Sequence, residues 1–196
     1  MRLPLFPLRT VLFPGGVLPL KVFEQRYVDM TKDCLKDDRP FGVCLIVEGD
    51  EVAREGASAP KVSSIGTTAR ITNWDMPQLG ILHVATVGGG RFIIEHQVLE
   101  RSGLLVADVK EIAAEPRVAV TPAQMPLVRL LEMIASRVGP ENFPADPDYA
   151  DASWVGYRLA EFLPLPLPIK QSMLEVNDAQ VRLGVLHRFL KEQGLV

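Results

Sequence analysis

Zinc, phosphate and nucleophile chemistry each require a recognisable spacing, and this chain has few residues able to supply one. There are three histidines, His83, His96 and His187, and two cysteines, Cys34 and Cys44. A catalytic zinc draws about three converging His, Cys or carboxylate ligands. No H-E-x-x-H spacing occurs, and the two cysteines are too far apart for a C-x-x-C pair. Each histidine therefore reads as a surface or half-buried side chain, and each cysteine as a small buried hydrophobe. A phosphate cradle needs G-x-x-x-x-G-K-[ST]. The nearest glycine cluster, Gly88-Gly89-Gly90-Arg91, lacks the Lys-Ser/Thr end and precedes a strand, so it reads as a tight hairpin with positive φ angles. A nucleophile elbow of the form G-x-S-x-G is missing around Ser63, Ser64 and Ser153. A Ser–Lys dyad stays open, because its partners can lie far apart in sequence. The carboxylate pairs Asp37-Asp38 and Asp50-Glu51 lie in polar loops, where solvation explains them. The expectation is a chain that is not an enzyme, with no catalytic residue, metal ligand or cofactor.

Composition agrees with that reading. The 196 residues are 47% hydrophobic and 23% charged, as in an ordinary globular protein, and the net charge is -3. A nucleic-acid binder concentrates Lys and Arg on one face. The closest stretch, Arg182 to Arg188 with Phe189, carries the apolar side of a helix, so packing accounts for it. The opening MRLPLFPLRTVLFPG is apolar but is crossed by Pro4, Pro7, Arg9 and Pro14, which breaks any secretory core. No apolar run approaches the roughly 20 residues that span a bilayer. The location expected is cytoplasmic, with reduced thiols.

The elements that would position any site fall into two parts. Leu3–Phe6 is a short apolar piece, and Val17–Val22 reads as a strand whose Pro19 marks an edge or bulge. Glu24–Lys36 reads as a helix, because Phe23, Tyr27, Met30 and Cys34 recur at helical spacing; Pro40 is expected to stop it. Phe41–Val47 is a buried strand, and 48–60 an exposed loop or hairpin tip. Four more strands are expected at 63–74, 79–87, 91–99 and 104–112, broken by Asp75-Met76-Pro77, the glycine triplet and Arg101-Ser102-Gly103. Near residue 115 the period changes. Thr121-Pro122-Ala123-Gln124 fits a capping box, although Pro126 would delete a bond in the second turn, so the helix starts either at the box or at Pro126 and runs to about Val138. Further helices are expected at 152–163 and 169–176. A last one is capped by Asn177, with Val181, Val185, Leu186, Phe189 and Leu190 on its buried face. The Pro164-to-Pro168 stretch reads as extended. The sum is an α+β chain: a small β-domain at 1–115 followed by a helical bundle at 116–196.

The N-terminal Leu-Pro-Phe run carries a resemblance. Leu3-Pro4-Leu5-Phe6-Pro7-Leu8, Val11-Leu12-Phe13-Pro14-Gly15, Leu18-Pro19-Leu20 and Phe23-Glu24-Gln25-Arg26-Tyr27 resemble the opening signature of the Lon protease N-terminal domain family. Ile65-Gly66-Thr67-Thr68-Ala69 resembles its G-T-x-A strand, and Gly90-Arg91-Phe92 with Ile94 its G-x-R-F-x-I strand. Trp154, Leu159, Ala160, Leu163 and Pro164 are similar to its late helix. So are Lys170 to Glu175, with Asp178, Arg182 and Leu183. The likeness covers nearly the whole chain.

That resemblance implies a PUA-like small β-barrel with one inserted helix, then a C-terminal helical bundle. It also implies a substrate-recognition module, with the ATPase and protease expected in domains beyond this chain. The partners implied are unfolded or apolar polypeptide segments, with no nucleic acid and no membrane. The oligomeric state is open, a homodimer included. The candidate polypeptide-binding residues are Phe13, Leu18, Leu20, Phe23, Tyr27 and Met76, each of which would serve equally well as core. Glu24 and Arg26 are expected to fix the strand-to-helix junction. Two alternatives stand beside this. One is RNA binding, as some PUA-like barrels do. The other is a small-molecule site between the β-domain and the bundle, with Thr67, Arg70, Arg91 and Tyr157 as candidates.

Overall fold

The computed structural model describes residues 1–51 and 59–195. The expected loop at 48–60 lies partly outside the described residues, at 52–58. The chain divides into two compact units, Met1–Ala113 and Ala114–Val196.

The first unit holds β1 (Arg2–Leu8), β2 (Val17–Val22), α1 (Gln25–Lys36), β3 (Phe41–Glu48), β4 (Lys61–Val62), β5 (Ile65–Gln78), β6 (Ile81–Leu99) and β7 (Leu105–Glu111). β1 pairs with β7 on one side and runs parallel to β3 on the other, so the path β1-β7-β6-β5-β3 closes on itself. The prolines of β1 fit because the strand changes partner midway. Arg2–Leu5 pair with β7 and Leu5–Leu8 with β3, so only Leu5 is paired on both sides. Phe6, Val22, Tyr27, Met30, Phe41 and Val84 pack one side of the interior. Leu3, Leu5, Cys44, Phe92 and Val109 form a second cluster.

The strands expected at 79–87 and 91–99 are one strand, β6, and the glycine triplet lies inside it. Gly88 pairs with Ala69 of β5, exchanges bonds with Gly15 and Gly16, and has no positive φ. The hairpin reading is therefore overturned by a packing constraint. A Cβ at position 88 would sit 2.2 Å from the Phe13 carbonyl oxygen, and one at 89 would sit 2.5 Å from Thr68 Oγ1. The real turn is at Leu79-Gly80, with Gly80 at φ 86°. β5 continues through Asp75-Met76-Pro77, because this end of the hairpin is exposed and tolerates a proline.

α1 starts one residue after Glu24, whose carbonyl accepts from the Tyr27 and Val28 amides. Arg26 pairs with Glu24 at 2.9 Å and donates to the Gly103 carbonyl at 2.8 Å. The buried face is Tyr27, Met30, Thr31 and Cys34; Phe23 precedes the helix and is exposed. The helix ends at Asp37, ahead of Pro40, as Asp38 turns the chain with φ 47°.

The second unit contains a short 3-10 turn (Pro122–Gln124), α2 (Met125–Val138), α3 (Ala152–Phe162), α4 (Leu167–Glu175) and α5 (Ala179–Glu192). The capping box is formed: the Thr121 amide donates to Gln124 Oε1 at 2.9 Å. α4 starts two residues earlier than expected. Pro168 lies in its first turn, where a missing N–H costs nothing. Asp178, not Asn177, caps α5, accepting from the Gln180 and Val181 amides. The buried face of α5 is Ala179, Arg182, Leu183, Leu186 and Leu190, while Val181 and Val185 are exposed. The apolar pattern misplaced that face because one of its fully buried side chains, Arg182, is charged.

Candidate functional site

β2 is the strand on which a candidate surface is built. Among the described residues it pairs only with β6, so its other edge is open. Its alternation sends Leu20 and Val22 inward and leaves Pro19 and Lys21 outside. A groove runs along that open edge, lined by Phe6, Leu8, Leu20, Phe23, Glu24 and Tyr27. On the other side, Pro19 and Lys21 border a second, shallower depression with Asn73, Trp74, Asp75 and His83 of the β5–β6 hairpin. At about 360 Å³ it is near the low end of ligand pockets, roughly 300–1,000 Å³.

The six expected binding residues divide sharply. Phe13 is fully buried, and its carbonyl meets the glycine triplet. Leu20 and Tyr27 are buried but reach the groove as its floor. Tyr27 stacks on Phe6 with centroids 4.1 Å apart, and the Arg26 guanidinium lies 4.5 Å from its ring. Burial pushes the Tyr27 hydroxyl up to about 12. Leu18 is half-buried. Only Phe23 (56%) and Met76 (41%) present large exposed surfaces. Sequence reasoning missed Trp74, 52% exposed, and Leu79, 94% exposed, on the same hairpin as Met76. Their signal was three large apolar residues crowded around a turn that polar residues normally occupy.

The groups able to do chemistry are held elsewhere. Cys34 and Cys44 are buried, and burial raises their thiols to about 11 and about 12, so neither is a nucleophile near neutral pH. Among the described residues no three His, Cys, Asp or Glu side chains are grouped to hold a metal. Thr67 and Arg91 face each other across β5 and β6; the Thr67 hydroxyl donates to the Leu12 carbonyl at 2.6 Å, and Arg91 is buried. Arg70 pairs with Asp38 at the surface. Tyr157 belongs to the second unit, where it donates to Glu115 Oε1 at 2.5 Å.

Glu115 is the hub of a buried polar cluster in that unit. Arg182 donates to both its oxygens, at 2.5 and 2.9 Å, and Ser153 donates at 2.9 Å. The Arg182 guanidinium also reaches the Met173 and Val176 carbonyls and lies 3.9 Å from the Tyr157 ring centroid. Burial pushes the Glu115 carboxyl up, but the hydrogen bonds from Arg182, Tyr157 and Ser153 outweigh it and hold the group below the usual carboxylate range. Glu115, Tyr157, Ser153 and Arg182 are bonded into one cluster that Arg182 also ties to two backbone carbonyls, which suits a structural tie.

The fold and surface thus define an α+β chain whose β-rich unit presents an open, apolar strand edge. The chain belongs to the family described as the ATP-dependent protease La (LON) substrate-binding domain, which it matches over residues 2–192. The Lon N-terminal domain protein from Xanthomonas campestris is 32% identical, with a TM-score of 0.78, covering 96% of this chain and 98% of that one. The N-terminal domain of a Mycobacterium avium complex Lon protease shares the fold at a TM-score of 0.64 and 19% identity, over 95% of this chain and 96% of that one. The Lon protease of Brevibacillus choshinensis is 28% identical over 98% of this chain and 25% of its own length. Lon protease 2 of Myxococcus xanthus is 28% identical over 97% and 24%. The chain therefore spans about a quarter of the length of these curated relatives. No described helix is long and apolar enough to cross a membrane.

Proposed function

We propose that this chain is a non-catalytic module that captures unfolded or apolar polypeptide segments in the cytoplasm, through the β2 edge and the β5–β6 hairpin. The observation that carries this reading is the exposure of Phe23 at the end of β2 and of Trp74, Met76 and Leu79 on the β5–β6 hairpin, with Trp74 bordering the depression that also holds Pro19 and Lys21. Large exposed apolar side chains of this kind mark an interaction site. The groove floor of Phe6, Leu20 and Tyr27 adds a buried apolar contact beneath it. Family membership supports the same reading, since the matched domain is the substrate-binding one. Burial of both thiols accords with a reducing location.

The test is titration with reduced, carboxymethylated α-lactalbumin, an unfolded probe at neutral pH. Binding is expected at micromolar concentrations, weakened about fivefold or more by Phe23→Ser with Trp74→Ser. Failure of the folded chain to bind at tens of micromolar would remove the proposal.

A further inference from the structure

Which backbone groups of β2 face the open edge follows from its bonds to β6. The Gly16 carbonyl accepts from the Gly88 amide at 2.8 Å, and the Leu18 carbonyl accepts from Thr86 Oγ1 at 2.8 Å. The even-numbered residues therefore turn their N–H and C=O groups toward β6. Backbone groups alternate along a strand, so those of Val17, Pro19 and Lys21 point to the open side. Pro19 fits this phase, since its missing N–H falls where no ladder bond is lost. What remains is a row of two amides and three carbonyls with no partner strand among the described residues. The groove lined by Phe6, Leu8, Leu20 and Tyr27 runs along the same edge, with the carboxylates of Glu24 and Glu51 also in its lining. Lys21 is exposed on the outer face and forms no ion pair with a described residue.

We infer that the occupant of this edge is an extended polypeptide segment that pairs with β2 as an added strand. Its alternate apolar side chains enter the groove, and an acidic side chain stands opposite Lys21. This rests on the polypeptide-binding proposal and specifies its mode. Main-chain pairing reads no particular side chain, while the groove and Lys21 supply preference at alternate positions. Such a site accepts many unfolded segments and rejects folded surfaces, whose backbone groups are already paired.

The test replaces both outward amides with Val17→Pro and Lys21→Pro in the full chain, leaving the bonds to β6 intact. Affinity for carboxymethylated α-lactalbumin is expected to fall about tenfold or more, with an unchanged circular dichroism spectrum. Unchanged affinity in the folded variant overturns strand addition while the polypeptide-binding proposal stands. Loss of probe binding in the unaltered chain overturns both. A dimer of the unaltered chain that the prolines abolish would assign the edge to a second copy and overturn the inference. Should the variant fail to fold, an alternating Val/Thr peptide with one central Glu is titrated against the unaltered chain. N-methylation in one backbone phase is expected to weaken it about tenfold and in the other by less than about twofold. Equal effects in both phases overturn the inference.

Discussion

Glu115→Gln probes a buried ion pair of the second unit. The Glu115 side chain is 2% exposed and that of Arg182 is fully buried. The substitution keeps the shape but removes the charge and presents an amide to donors from Arg182, Tyr157 or Ser153. Breaking one partner of a buried pair costs about 3–5 kcal/mol, because the other charge is left uncompensated. Arg182 would keep the Met173 and Val176 carbonyls and the Tyr157 ring, so the lower end, about 3 kcal/mol, is expected. The assay is urea unfolding followed by Trp154 fluorescence in a Trp74→Phe background, which leaves one of the two tryptophans. With a slope of about 1–3 kcal/mol per molar, the midpoint should fall by about 1 M or more. pH supplies a second check. The folded carboxyl lies below its ordinary value, so its contribution is fully present above the unfolded pKa, about 4.3, and is lost as pH falls through the folded one. The gap between the two proteins should therefore shrink below about pH 4. A change under about 0.5 kcal/mol at neutral pH, or a gap that does not depend on pH, would refute the reasoning.

Three further outcomes rest on the same packing. Gly88→Ala places a methyl against the Phe13 carbonyl and should destabilise the first unit by about 2–3 kcal/mol, whereas Gly90→Ala, with nothing within 4 Å, should change it by less than about 0.5 kcal/mol; Trp74 fluorescence in a Trp154→Phe background reads both. Cys34 and Cys44 should resist a thiol reagent at pH 8 and react only as fast as the chain opens, since their thiols ionise near 11 and 12; rapid native labelling of either would contradict the burial described. Asp178→Ala removes the side chain that accepts two amides at the start of α5, and should cost about 1 kcal/mol in the same urea assay.

Features under local chemical control can be read along the chain. The bounds of β2 are those its turn residues imply, and Pro19 marks an edge strand because proline cannot donate. The Tyr27, Met30 and Cys34 face of α1 follows from a 3.6-residue period, and the capping box at Thr121 from two residue types three apart. The ordered Leu-Pro-Phe signature pointed to the family.

Long-range contacts decided the rest. Gly88 is glycine because Phe13, distant in the chain, brings a carbonyl against it, and a local reading can only offer a turn. Arg182 is buried because Glu115, 67 residues away, meets its charge; without that partner the helix pattern places Val181 and Val185 inside. The candidate binding residues were sorted in the same way. Phe13, Leu20 and Tyr27 are buried, while Phe23 and Met76 stand at the surface, and their hydrophobicity alone does not distinguish them. Residue type sets the free energy of leaving water, but which apolar groups leave it depends on which strand edge finds a partner, and that is settled only when the sheet closes.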